Sequence, residues 1–217
     1  MKTLGFIKTL TRRMRQYNDP FLPDHYYHVF NRAVGSEKMF YEHDNYRYFL
    51  KKMKQHILPV ADIFCYSFLP NHFHLFVRIK PLNIIEQKFQ HSKIKGQRQK
   101  YDINRSLFIS EQFGNWCNSY TKALNKKYNR KGKLFMDNLN RRLIYSDVYY
   151  SKVIHYIHAN AAQHKLCSNV ASWPYSSYHA LINNSKIWFA RDEVMEWFGG
   201  LSNFIAFHQQ PVEIKIK

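Results

Sequence analysis

The tripeptide His72-Phe73-His74 constrains the fold more than any other feature of the chain. On a β-strand, side chains at i and i+2 share one face about 6.6 Å apart, so two imidazoles can reach one divalent metal while Phe73 points the other way into a core. The chain holds 12 histidines, and such spacing arises by chance, so its neighbours matter. Pro70-Asn71 just before it reads as a turn, Ile63 to Phe68 as a strand leading in, and Leu75 to Ile79 as an apolar strand continuing out. The two histidines therefore stand near the start of one strand of a hairpin.

A matching half-site lies in Ser151-Lys152-Val153-Ile154-His155-Tyr156-Ile157-His158-Ala159-Asn160-Ala161-Ala162-Gln163. The stretch has no Gly or Pro, and Asp147 after Ser146 can serve as N-cap, so a helix from Asp147 is expected. At about 100° per residue, Val153, Ile154, Ile157 and Ala161 share one side, and Tyr156, Asn160 and Gln163 form a stripe along its edge. Tyr156 and Asn160, at i and i+4, can present a phenol and an amide oxygen to one point beside the sheet. Tyr149 stands two turns earlier on nearly the same stripe. His158 falls on the far side from Tyr156, and with His155 it is poorly placed to complete a zinc hydrolase centre.

Charge points to a polyanion. Lys and Arg number 33 against 15 acidic residues, a net charge of +18. Residues 80–145 carry 15 Lys/Arg and only 4 Asp/Glu, so the excess concentrates between the histidine motif and the tyrosine helix. Lys126, Lys127, Arg130 and Lys131 form a run there, followed by Arg141 and Arg142, while Lys152 lies one turn before Tyr156. These seven are the candidate DNA-binding residues. Aromatics make up 17% of the chain, and Tyr120, Tyr128, Phe135 and Tyr145 lie among the basic residues as potential stacking faces for unpaired bases.

The order of elements is βαββαβα: a strand near 25–33, a helix near 43–56, a hairpin over 60–80, a helical basic region over 83–129 broken near Gly96, a strand near 134–145 and the helix from 147. Four strands in this order predict an α+β fold, a ferredoxin-like antiparallel four-stranded sheet with helices packed on one face. The chain divides into a basic extension over 1–24, a main domain over 25–180, and a helical appendage over 181–217 that includes Trp188, Trp197 and Phe198. Cys65, Cys117 and Cys167 show no CxxC spacing, which suggests neither a zinc knuckle nor a disulfide framework, and a reducing cytoplasm is the simplest setting. No stretch approaches the roughly 18 apolar residues of a membrane span.

Six blocks in order resemble the single-tyrosine HUH transposases of insertion sequences, closest to the REP-associated tyrosine transposases. They are Tyr27-His28-Val29-Phe30-Asn31-Arg32; Phe40 with Asp44, Tyr46 and Phe49; Leu69-Pro70-Asn71-His72-Phe73-His74-Leu75; Lys131-Gly132-Lys133-Leu134-Phe135 with Arg141-Arg142; Tyr156-Ile157-His158-Ala159-Asn160; and Trp173-Pro174-Tyr175-Ser176-Ser177-Tyr178. The resemblance spans residues 25 to about 180. It implies that His72, His74 and Asn160 bind a metal, Mg2+ or Mn2+, and that Tyr156 attacks single-stranded or hairpin DNA to form a 5′-phosphotyrosine link. Two positions depart from the family pattern: Ala161 stands where a proline usually follows the asparagine, and Tyr175 where a tryptophan usually precedes the paired serines. Neither removes a group that the chemistry needs. The insertion-sequence branch pairs subunits, so the resemblance leaves monomer and homodimer both open. A non-catalytic nucleic-acid-binding module and a rolling-circle-type HUH nuclease are the alternative functions, and the first has no use for His72, His74 and Tyr156 together.

Overall fold

The computed structural model describes residues 19–90, 101–137, 139–183 and 188–212. Residues 1–18 of the basic extension, and the polar break from Lys93 to Lys100, lie outside the described residues. Four strands, β1 (Tyr26–Arg32), β2 (Ala61–Leu69), β3 (His72–Ile79) and β4 (Asn140–Ile144), form one antiparallel sheet in the order β2-β3-β1-β4. Helix α1 (His43–Ile57) connects β1 to β2, and α2 (Leu82–Gln90) with α3 (Tyr101–Lys127) connects β3 to β4. This is the expected α+β, ferredoxin-like arrangement.

Strand alternation gives the sheet two different faces. Tyr27 and Val29 on β1, with Phe73, Leu75 and Val77 on β3, are buried against α1 and α3. Phe73 meets Phe49 of α1 at 5.5 Å and Trp116 of α3 at 4.7 Å between ring centroids. The Trp116 indole donates to the Phe49 carbonyl at 3.1 Å, so the ring is buried with its one polar group satisfied. The crossover helices thus cover one face, as expected.

The opposite face carries His28, Phe30 and Arg32 of β1 and His72, His74, Phe76 and Arg78 of β3, and it has its own cover. Helix α4 (Tyr150–Gln163) packs chiefly over β2 and β3. Tyr150 at its start stacks on Tyr26 at 4.4 Å and Phe76 at 5.4 Å. Helices α5 (Tyr178–Ile182), α6 (Arg191–Phe198) and α7 (Leu201–His208) complete the layer, with Val194, Phe198 and Phe204 in the main core. Arg78 fastens α6 to the sheet by pairing with Glu193 at 2.7 Å and Asp62 at 3.0 Å. The helix carrying Tyr156 therefore lies on the face away from α1 and α3.

Two local readings change, and one motif gains a role. The tyrosine helix begins at Tyr150, because the Asp147 carboxylate accepts from the next residue, Val148, at 2.8 Å, and residues 147–149 tighten into a 3₁₀ turn. The last strand is confined to Asn140–Ile144, preceded only by an isolated bridge between Ala33 and Phe135. The Trp173-to-Ser177 motif serves the architecture by sealing the free edge of β2. Phe68 N–H donates to the Tyr175 carbonyl and Ser177 N–H to the Tyr66 carbonyl, both at 3.0 Å, while the Trp173 indole reaches the Phe68 carbonyl at 3.1 Å.

Candidate active site

The hairpin tip sets the position of His72. Pro70, whose fixed φ suits a tight turn, and Asn71 link β2 to β3, and both turn carbonyls are tied down: Asn71 accepts from Ala33 N–H at 2.8 Å and Pro70 from Met39 N–H at 2.7 Å. The Asn71 side-chain oxygen lies 2.7 Å from His72 Nδ1. An amide oxygen only accepts, and a neutral ring has one N–H for the two amide oxygens that it faces; with that proton on Nδ1, Nε2 presents a lone pair. That lone pair faces Asn160 Oδ1 of α4 at 3.0 Å. Two acceptors at this distance repel unless a cation or proton lies between them. Burial pushes the His72 pKa down, against the raising effect of Asn160, and His164 and Arg32 lower it further, so the extra proton is disfavoured. For an ion with bonds of about 2.1 Å and octahedral geometry, neighbouring ligand atoms stand about 3.0 Å apart. The pair fits two adjacent ligands of one hard cation.

His74 is 7% exposed and shares a 2.9 Å hydrogen bond between its Nδ1 and Nε2 of His28. Burial, with the neighbouring His28, His72 and His164, holds its pKa well below the usual value. His28, itself buried, is pushed down to about 3, first by burial and then by Arg142. Both rings are neutral at pH 7, the form a metal ligand requires. With Nδ1–H donated to His28, His74 has Nε2 left for another partner. Among the described residues, no three or more His, Cys, Asp and Glu side chains form a metal-holding group; what this pocket offers a cation is two histidines and the Asn160 amide.

Tyr156 stands edge-on over these rings, 5.7 Å from His74 and 5.9 Å from His28 between centroids. Burial raises its pKa, and the Asn160 side chain one turn on partly offsets this, so the phenol is protonated at neutral pH. Tyr156, Asn160, His72 and His74 line one pocket of about 480 Å³, together with Phe30, Arg32, Asn71, Asn140 and His164.

A solved structure of similar shape is that of a REP-associated tyrosine transposase bound to a REP hairpin, with a TM-score of 0.53 at 15% sequence identity over 80% of this chain and 88% of that one. The likeness is one of fold. A bacterial tRNA(His) guanylyltransferase-like protein in complex with GTP also aligns, at a TM-score of 0.43 and 9% identity over 75% of this chain and 74% of that one. No protein-family model and no curated protein matches the chain.

The basic candidates disperse. Arg142 is exposed on the histidine face of β4, opposite His28 in the register. Arg141 turns to the other face, where its guanidinium bonds the Asp19 carbonyl and lies 4.6 Å over the Phe21 ring. In the 126–131 run, Lys127 pairs with Glu42, and Arg130 pairs with Glu37 at 2.8 Å and bonds Asn125 at 2.6 Å. These contacts hold the end of α3 against the segment that follows β1. Lys126 and Lys131 are exposed, Lys152 lies half-buried one turn before Tyr156, and Tyr149 is 53% exposed beyond it. His158 faces away from the pocket, bonded to Ser177 Oγ at 2.8 Å and His208 at 2.9 Å. His28, Phe30, Arg32, Asn140 and His164 have no assigned role in the sequence reading. For the β1 trio the signal was there: polar His28 and Arg32 alternate with apolar Tyr27 and Val29.

Proposed function

We propose that the protein is a transposase-type DNA strand transferase that cuts single-stranded or hairpin DNA through a 5′-phosphotyrosine intermediate on Tyr156. The observation that carries this is the joining of His72 Nε2 and Asn160 Oδ1 at 3.0 Å in the same pocket as Tyr156, two ligand atoms beside a potential nucleophile. The fold likeness to a hairpin-bound tyrosine transposase supports it, as does the net charge of +18.

His72, His74 and Asn160 would hold Mg2+ or Mn2+, which when bound would withdraw charge from a non-bridging phosphate oxygen. The rest falls to the chain's own groups. Tyr156 Oη attacks the phosphorus as its proton leaves; the bond from phosphorus to the 3′-oxygen breaks, and that oxygen departs as a 3′-hydroxyl after taking a proton. One phosphoester replaces another, so a 3′-hydroxyl can later displace Tyr156 and rejoin a strand without ATP. Lys152 favours the phenolate electrostatically from one turn away.

The test is a denaturing gel after incubation with single-stranded hairpin DNA and Mn2+. The wild-type protein yields a protein–DNA adduct, and Tyr156→Phe yields none while Tyr149→Phe still does. An adduct that survives Tyr156→Phe would overturn the assignment.

A further inference from the structure

A buried hydrogen-bond relay runs behind the candidate active site, and we infer that His158 at its centre is a positioning residue that sets the roll of α4 about its axis, so that α7 takes part in aiming Tyr156 and Asn160. The inference rests on the strand-transferase reading. At about 100° per residue, His158 stands diametrically opposite the midpoint between Tyr156 and Asn160 on α4. It is fully buried with both ring nitrogens held: Nε2 lies 2.8 Å from Ser177 Oγ, and Nδ1 lies 2.9 Å from His208 Nε2. Ser177 Oγ accepts from the Tyr66 N–H of β2 at 2.9 Å, and His208 Nδ1 stands 2.7 Å from the Phe204 carbonyl of α7. A carbonyl only accepts, so His208 Nδ1 carries the proton and, in a neutral ring, Nε2 accepts. His158 Nδ1 must then donate and its Nε2 accept, which turns the Ser177 hydroxyl towards His158 rather than towards the Tyr66 carbonyl at 3.3 Å. Burial keeps both rings neutral, holding His158 well below its usual pKa and pushing His208 down to about 3. The relay therefore has one proton arrangement, from the β2 backbone through α4 to α7.

Such a relay fixes an angle that packing leaves soft. Val153, Ile154 and Ile157 are buried beneath α4, but burial of apolar surface is non-directional. On the pocket side Asn160 Oδ1 approaches His72 Nε2, and with the His72 proton on Nδ1 these two acceptors do not attract each other by themselves. The back of the helix is held by bonds that do have direction. His158 is tied both to Ser177, whose N–H donates to the Tyr66 carbonyl at the edge of β2, and to α7, so a roll either way stretches a hydrogen bond. Side chains on the pocket side stand about 5–6 Å from the helix axis, so a roll of about 10° carries them about 1 Å. A misplacement of that size can cost about 100-fold in rate. The seal on β2 and the C-terminal helix thus converge on one ring.

The experiment uses the full chain with single-stranded hairpin DNA and Mn2+. It reads the rate of adduct formation at saturating DNA, the DNA concentration at half-maximal rate, Mn2+ affinity by calorimetry and the melting temperature. His208→Leu removes the acceptor for His158 Nδ1 from a residue outside the pocket. It should lower the saturating rate by about 100-fold while the half-maximal DNA concentration stays at the wild-type value. Mn2+ binding should weaken about 10- to 100-fold, as when the support behind a ligand is lost. His208→Gln keeps an acceptor there and should recover most of the rate, and His158→Ala should behave as His208→Leu does. Where His158→Ala is unfolded at the assay temperature, His208→Leu and Ser177→Ala decide by the same readings. Folded variants with lower melting temperatures but the wild-type saturating rate and Mn2+ affinity would overturn the inference alone. So would a rate lost equally in His208→Leu and His208→Gln, which marks the ring as packing. No wild-type adduct at all would overturn the strand-transferase reading and the positioning role with it.

Discussion

His28 backs the proposed metal site without lining its pocket. Its Nε2 meets His74 Nδ1 at 2.9 Å, and its own Nδ1 has no hydrogen-bond partner among the described residues. For His74 to offer Nε2 to a cation, His74 must donate to His28, and that sets the tautomer of both rings. Removing such an outer partner typically weakens metal binding about 10- to 100-fold. We expect His28→Ala to weaken Mn2+ binding by that order in calorimetry, with the melting temperature checked in parallel; an unchanged affinity would leave His28 a packing residue. His72→Ala should abolish adduct formation yet retain DNA binding in a filter assay, because the charges that attract DNA lie elsewhere. Equal loss of both would mark the histidine as structural.

Among the elements, α4 carries the most information. Its stripe of Tyr156 and Asn160 was legible from helical spacing, as was the exclusion of His158 from that stripe. Its starting point was not: the Asp147 carboxylate bonds its nearest neighbour's N–H, a geometry that spacing does not encode. The edge seal on β2 was equally hidden, since a Trp-Pro-Tyr-Ser-Ser run gives no sign of which strand it will pair with. Trp173 is 9% exposed and bonds the Phe68 carbonyl. Trp173→Ala should cost about 3–5 kcal/mol, seen as a lower urea midpoint, and should favour aggregation by baring a sheet edge. A midpoint within error of wild type would show that the backbone bonds at Tyr175 and Ser177 seal the strand alone.

For the molecule as a whole, charge and buried histidines set the response to salt and pH. Lys127 and Arg130 already have acidic partners, so the share of the 126–131 run without one among the described residues is Lys126 and Lys131. If this run lies on the DNA path, replacing both with Ala should reduce the salt slope of single-strand binding by about 1.4, at about 0.7 per phosphate contact. An unchanged slope would move the path to the strip bearing Arg32 and Arg142. His28 and His208 are both pushed down to about 3, chiefly by burial. Below the ordinary histidine value near 6.5 the unfolded chain takes up protons that the folded one refuses, so stability is full above that value and falls as pH drops towards 3. Each such group contributes up to about 1.4 kcal/mol per pH unit in that window. The melting temperature should therefore fall from pH 7 to pH 5, and less steeply in His208→Gln; a flat profile would show that these rings do not stay neutral in the folded protein.

By itself the sequence determined the sheet, the hairpin that presents His72 and His74, and the stripe that pairs Tyr156 with Asn160, because periods of two and of 3.6 residues are local properties of the backbone. The basic character of the chain was equally plain from composition. Only the tertiary structure decided that α4 crosses the face away from α1 and α3, that Asn160 meets His72 and that His28 backs His74. Each of these depends on which strands become neighbours. His28 and His74 are 46 residues apart in the chain, and His72 and Asn160 are 88 apart, so no local rule of spacing could bring them together.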